Sequence, residues 1–211
     1  MSLRSVVTGF LIALLGSCSS RPDVGIGVLH FEDTFTQRLK FYNSPDSLRT
    51  PAFYVDLIFE DSVRALSTSL NRQTDTLAFY PLYRGGASLS LQVLEQRGNW
   101  FRVKTDMLVD ATHWLYSGSK EKESWRSFWP TVRVVSGRGP ENPLRENPSD
   151  DARSYGLKHN VLCLEVVEVQ GAWLKVKNNP DRCANPLIVS EAFEGFLRWK
   201  RDGQILVSFL L

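Results

Sequence analysis

The stretch LEQRGNWFRVKT at residues 94–105 recurs as VEVQGAWLKVKN at 167–178. Glu95/Glu168, Gly98/Gly171, Trp100/Trp173, Val103/Val176 and Lys104/Lys177 stay in step. A sentence written twice restricts the fold more than composition does, because repetition at this scale marks a repeated structural unit. Upstream of each copy, LSLQV at 89–93 is matched by LCLEV at 162–166. Two apolar runs joined through a glycine read as a β-hairpin. The order extends outward: LKFYNSPDS at 39–47 and LRENPSDD at 144–151 each carry a strand end into a Pro/Ser/Asp turn. Downstream, HWL at 113–115 has its counterpart in GFL at 195–197.

Side chains on a strand alternate between two faces. Trp100, Arg102 and Lys104 therefore share one face, and Phe101 and Val103 the other. In the second copy Trp173, Lys175 and Lys177 stand opposite Leu174 and Val176. The aliphatic face is the one to bury, which leaves both tryptophans among cations. Two readings stand open for such an indole. It is covered by the chain's own loop, or it forms a shallow aromatic groove flanked by Arg102 and Lys104, or by Lys175 and Lys177. The groove suits a peptide ligand with carboxylates, through stacking and charge-assisted hydrogen bonds.

This order of elements, met twice, resembles the bacterial SH3-type (SH3b) domain, a small barrel of five or more short strands. The resemblance implies an all-β fold with two small SH3-like β-barrel units in tandem. Unit one covers 28–118 with an insertion at about 50–82, a linker follows at 119–130, and unit two covers 131–208. The insertion, roughly 32 residues long, includes PAFYVDLIFEDSVRALSTSLNRQTDTLAFY at 51–80. It enlarges the loop beside the family's usual ligand groove, or it adds strands of its own, since FYVDLIF and TLAFYPLY both have β character. NNPDRCANPL after Trp173 reads as a loop, SGSKEKES at 117–124 as a polar linker, and Trp125, Phe128 and Trp129 as the contact joining the units. The closing ILVSFLL at 205–211 reads as a buried final strand.

The resemblance also implies groove residues. Tyr42 takes the place of an aromatic in the strand-end turn, where unit two has Glu146 or Asn147. Trp114 matches the aromatic of the family's G-W-V motif, with His113 in place of its glycine; Phe196 does so in unit two, behind Gly195. Trp199 is a further candidate. The expected ligand-binding set is thus Tyr42, Trp100, Arg102, Lys104, Trp114, Trp173, Lys175 and Trp199.

At the N-terminus, Met1–Arg4 is positively charged and Val6–Leu15 apolar, a run in the range of a signal-peptide core. LLGSC at 14–18 resembles the lipobox of bacterial lipoproteins. It implies a lipoprotein signal peptide over 1–18 and a lipid on Cys18, the alternative being an ordinary signal peptide with an incidental cysteine. By the same resemblance Ser19 points to the outer membrane, facing the periplasm, with the membrane as partner through the anchor. In an exported chain Cys163 and Cys183 read as a disulfide, against two separate thiols.

The remaining chemistry is sparse. A net charge of +2 without a polybasic run gives no case for nucleic-acid binding. His30, His113 and His159 are far apart, without a metal-type partner. No G-x-S-x-G elbow or G-x-G-x-x-G loop occurs. Cys163 sits in a strand pattern, and no histidine follows Cys183, which argues against the cysteine peptidases that SH3-type domains often accompany. Glu32 with Asp33, and Glu121 with Glu123, read as solvated surface. The expectation is a protein with no catalytic residue, metal or cofactor. It recognises peptidoglycan, as cell-wall peptide or glycan, or it acts as an adaptor whose insertion contacts an envelope protein.

Overall fold

The computed structural model describes residues 24–32, 37–60, 63–70, 83–85, 88–106, 110–118, 120–132, 134–137, 142–155, 164–179 and 194–210. Cys18, Cys163 and Cys183 lie outside these, and with them the expected lipidation and disulfide. The described chain is mostly β. The first sheet is built from β1 (Gly27–Glu32), β2 (Gln37–Tyr42), β3 (Phe53–Glu60), β4 (Val63–Leu70), β5 (Tyr83–Gly85), β6 (Ser88–Arg97), β7 (Trp100–Asp106) and β8 (Ala111–Tyr116). Its order is β1-β6-β7-β8-β2-β3-β4, with β5 also on β6. A short helix, α1 (Trp125–Thr131), precedes the second sheet. That sheet contains β9 (Val134–Gly137), β10 (Leu164–Gln170), β11 (Trp173–Asn178), β12 (Glu194–Arg198) and, after a two-stranded ribbon of β13 (Lys200–Arg201) and β14 (Gln204–Ile205), β15 (Val207–Leu210). Its order is β12-β11-β10-β9-β15.

The duplicated sentence becomes duplicated geometry. Gly98 and Gly171 turn the β6–β7 and β10–β11 hairpins at φ of 58° and 61°, the left-handed region that glycine enters without steric cost. Each hairpin carries a register shift at the same place in the repeat, between Val93 and Glu95 and between Val166 and Glu168. The third strand docks identically: Trp100 faces Tyr116 and Val103 faces His113, while Trp173 faces Arg198 and Val176 faces Gly195. HWL and GFL thus occupy the same positions. Tyr42 pairs with Trp114, and its counterpart opposite Phe196 is Arg145, not the expected Glu146 or Asn147.

Closed barrels are not what forms. Among the described residues both sheets are open, the first running from β1 to β4 and the second from β12 to β15. In the first, the inserted β3 pairs along β2 and buries Phe53 and Val55 in the core, so the insertion adds strands to the sheet. This decides between the two readings of the insertion. The segment 120–124, read as linker, pairs back onto β1 through Val28 and Glu123, and residues 125–131 are helical. ILVSFLL does not make a fully buried strand either: β15 lies at a sheet edge with Leu210 exposed.

Alternation gives β1 two cores. Leu29 and Phe31 face the first, with Phe41, Phe101 and Leu115. Val28 and the preceding Val24 face the second, with Trp125, Phe128 and Trp129 of α1 and with Leu174, Leu197 and Trp199. Ser124 caps α1 by accepting from Ser127 N at 3.1 Å, and Trp125 Nε1 donates to Gly25 O at 3.1 Å. The helix thereby ties the start of the first sheet to the core of the second.

Candidate functional site

The face of the first sheet opposite its core carries most of the aromatics the sequence singled out. Along β7 the burial alternates as expected, Phe101 and Val103 inward and Trp100, Arg102 and Lys104 outward. Pairing aligns these with the outward residues of neighbouring strands. Tyr42, Trp114, Arg102 and Glu95 form one rung across four strands, and Tyr116, Trp100 and Arg97 form the next.

Three rings cluster there edge-on. The Trp100 ring lies 5.2 Å from Tyr42 at 82° and 5.3 Å from Tyr116 at 64°. Such T-shaped contacts hold rings in place while leaving faces free. Tyr42 is buried, Trp100 half-buried, and Tyr116 52% exposed. Trp114 is buried, its ring covered by the Arg97 guanidinium at 4.9 Å.

The charges on this face differ in how firmly they are held. Arg97 Nε donates to Glu95 at 2.7 Å. Lys104 is drawn to Asp110 at 2.6 Å and is largely covered, so it does not flank an open groove. Arg102 is different. Its side chain is 42% exposed, while its Nε is buried and ion-paired with Glu95 Oε2 at 3.3 Å without hydrogen-bond geometry. The exposed part of that guanidinium, beside an aromatic cluster, is suited to a carboxylate.

In the second sheet the corresponding face is closed. Trp173 is only 8% exposed, with the Arg198 guanidinium 5.4 Å above its ring. Lys175 is paired with Glu194 at 2.8 Å, which raises the lysine pKa and lowers that of the glutamate. Trp199 is a core residue at 2% exposure, tilted against Trp125 and edge-on to Trp129, with Nε1 donating to Gly171 O at 2.9 Å. For Trp173 and Trp199 the groove reading is therefore corrected: the first is covered by its own chain, and the second continues the alternation of Gly195 and Leu197 onto the core face.

Of the expected set, Tyr42, Trp100, Arg102, Lys104 and Trp114 come together on one face. Sequence reasoning missed Tyr116, although alternation from Trp114 would have placed it there. Arg97 and Glu95 were legible only through hairpin pairing. Elsewhere, an open polar hollow of about 380 Å³ lies beside the β6–β7 turn, lined by Gln96, Asn99, Phe101, Gly118, Lys120, Glu121 and Lys122. Gln96 and Phe101 alternate with the aromatic residues, so the hollow is separate from that face.

Among the described residues, no group of three His, Cys, Asp or Glu side chains is placed to hold a metal. His113 is buried against Phe53, its Nδ1 2.8 Å from Thr105 Oγ1, and burial lowers its pKa. No described helix is long and apolar enough to cross a membrane. Comparison with protein families, curated proteins and solved structures gives no match for this chain.

Proposed function

We propose that this protein is a non-catalytic recognition module of the bacterial envelope that binds cell-wall peptide or glycan through the outer face of its first sheet. The observation that carries this reading is the cluster of Tyr42, Trp100 and Tyr116 beside Arg102, whose side chain is 42% exposed. Exposed ring faces stack on sugar rings or peptide planes, and the guanidinium takes a stem-peptide carboxylate. The LLGSC stretch supports a lipid anchor on Cys18 and an outer-membrane, periplasm-facing location. The ordered repeats support a kinship with SH3-type domains, in a form whose first unit carries the added β3–β4 hairpin.

Co-sedimentation with purified peptidoglycan tests the proposal. The intact protein pellets with the sacculi, and Trp100→Ala lowers the pelleted fraction severalfold. Sedimentation no greater than that of an unrelated control protein would sink it.

A second reading, an adaptor for an envelope protein, is favoured by the position of β4 at the end of the first sheet among the described residues. An edge strand offers backbone groups for strand addition. Crosslinking from residues 63–70 in cells should then capture one dominant protein; a diffuse smear counts against it.

A further inference from the structure

The two sheets differ at matched positions in one consistent way. Where the first has Tyr42 and Tyr116, the second has Arg145 and Arg198. Both arginines reach the loop that leaves the strand end. Arg145 Nη1 donates to Ala152 O at 2.6 Å. Arg198 Nη1 donates to Asp150 Oδ2, and Arg201 Nη2 donates to Asp150 Oδ1 at 2.8 Å. The corresponding loop of the first sheet closes in the same way, through Ala52 N to Phe41 O, as the second does through Tyr155 N to Leu144 O.

We infer that Arg198 at the end of β12 and Arg201 in the adjoining ribbon form a carboxylate-binding site, in which Asp150 sits as a built-in occupant that an acidic ligand displaces. Arg198 is preorganised for this. Its guanidinium stacks over Trp173, its Nε donates to Lys200 O at 3.2 Å, and its side chain is only 20% exposed. Two guanidinium groups, one on each carboxylate oxygen, give the geometry in which arginine recognises planar carboxylates. Asp150 is half-exposed on a surface loop, so an outside carboxylate can reach both guanidinium groups by displacing it. The occupant is therefore replaceable, and the apparent affinity for an outside carboxylate falls only by the fraction of sites that Asp150 leaves open. The hydrogen bond from Arg198 holds the Asp150 carboxyl below its ordinary pKa, consistent with a site that prefers the ionised form. The inference goes beyond the proposed function, since it requires nothing of the first sheet.

The test is a titration of ¹⁵N-labelled full-length protein with glutarate, read at the tryptophan indole signals. Glutarate moves the Trp173 signal along a saturating curve. Asp150→Asn lowers the half-saturating concentration at least threefold, and Arg198→Gln together with Arg201→Gln flattens the curve. Asp150→Ala gives the same result as Asp150→Asn and guards against an effect of the new amide. Inorganic phosphate run in parallel binds more weakly; tighter binding of phosphate than of glutarate overturns the carboxylate assignment. A Trp173 signal that glutarate leaves unmoved in both the unmodified and Asp150→Asn proteins overturns the site. The Trp100 signal reports on the first sheet separately, so the two claims can fail independently.

Discussion

Trp100 and Phe101 are neighbours in the chain with opposite tasks, and substitution separates them. Phe101 is 1% exposed in the first core, so Phe101→Ala loses about 3 to 5 kcal/mol of stability in urea unfolding. Trp100→Ala, on the outer face, costs far less while removing the centre of the ring cluster. Equal losses would place Trp100 in the core. Period-two alternation in WFRVK made this division legible before any coordinates. What alternation could not reveal is which outward residues are covered, because Asp110 on Lys104 and Arg198 on Trp173 come from distant positions or adjoining strands. His113 adds a pH signature. Burial lowers its pKa in the fold, so the unfolded chain takes up the proton first. Stability is full above about pH 6.5 and falls as pH drops from there towards the lowered folded value. His113→Gln flattens that dependence in thermal melts between pH 5 and 8; an unchanged slope would exonerate His113.

At the scale of elements, the hairpins were the legible part, since glycine turns and apolar runs are local signals. Gly98 and Gly171 both have positive φ, with nothing within 4 Å of where a Cβ would stand. Gly98→Ala should therefore cost about 1 to 2 kcal/mol from backbone strain alone, measured by chemical denaturation. A cost near zero would show that the turn relaxes into another type. The inserted strands were ambiguous because FYVDLIF fits a strand or an apolar loop, and only pairing to β2 decides. Helix α1 escaped notice for a related reason. Seven residues rich in aromatics and containing Pro130 show no helical period, and Ser124 as a cap is the one local sign.

Across the whole molecule, two repeated sheets are not two independent bodies. β1 belongs to the first sheet, yet Val24 and Val28 pack in the second core with Trp125 and Trp129. The two cores should then unfold in one transition, with tryptophan fluorescence and far-ultraviolet circular dichroism giving coincident midpoints. Separate midpoints would mean that the junction around α1 carries little energy. No local pattern announces such a junction, because the helix and β1 are nearly a hundred residues apart in the chain. The repeat lets one sheet carry Tyr42 and Tyr116 where the other carries Arg145 and Arg198. The most direct measurement follows the indole signal of Trp100 as soluble stem peptides from digested peptidoglycan are titrated in. The account predicts a saturable shift at Trp100 that Arg102→Gln weakens, with Trp199 unmoved. A silent Trp100 at saturating peptide would contradict it.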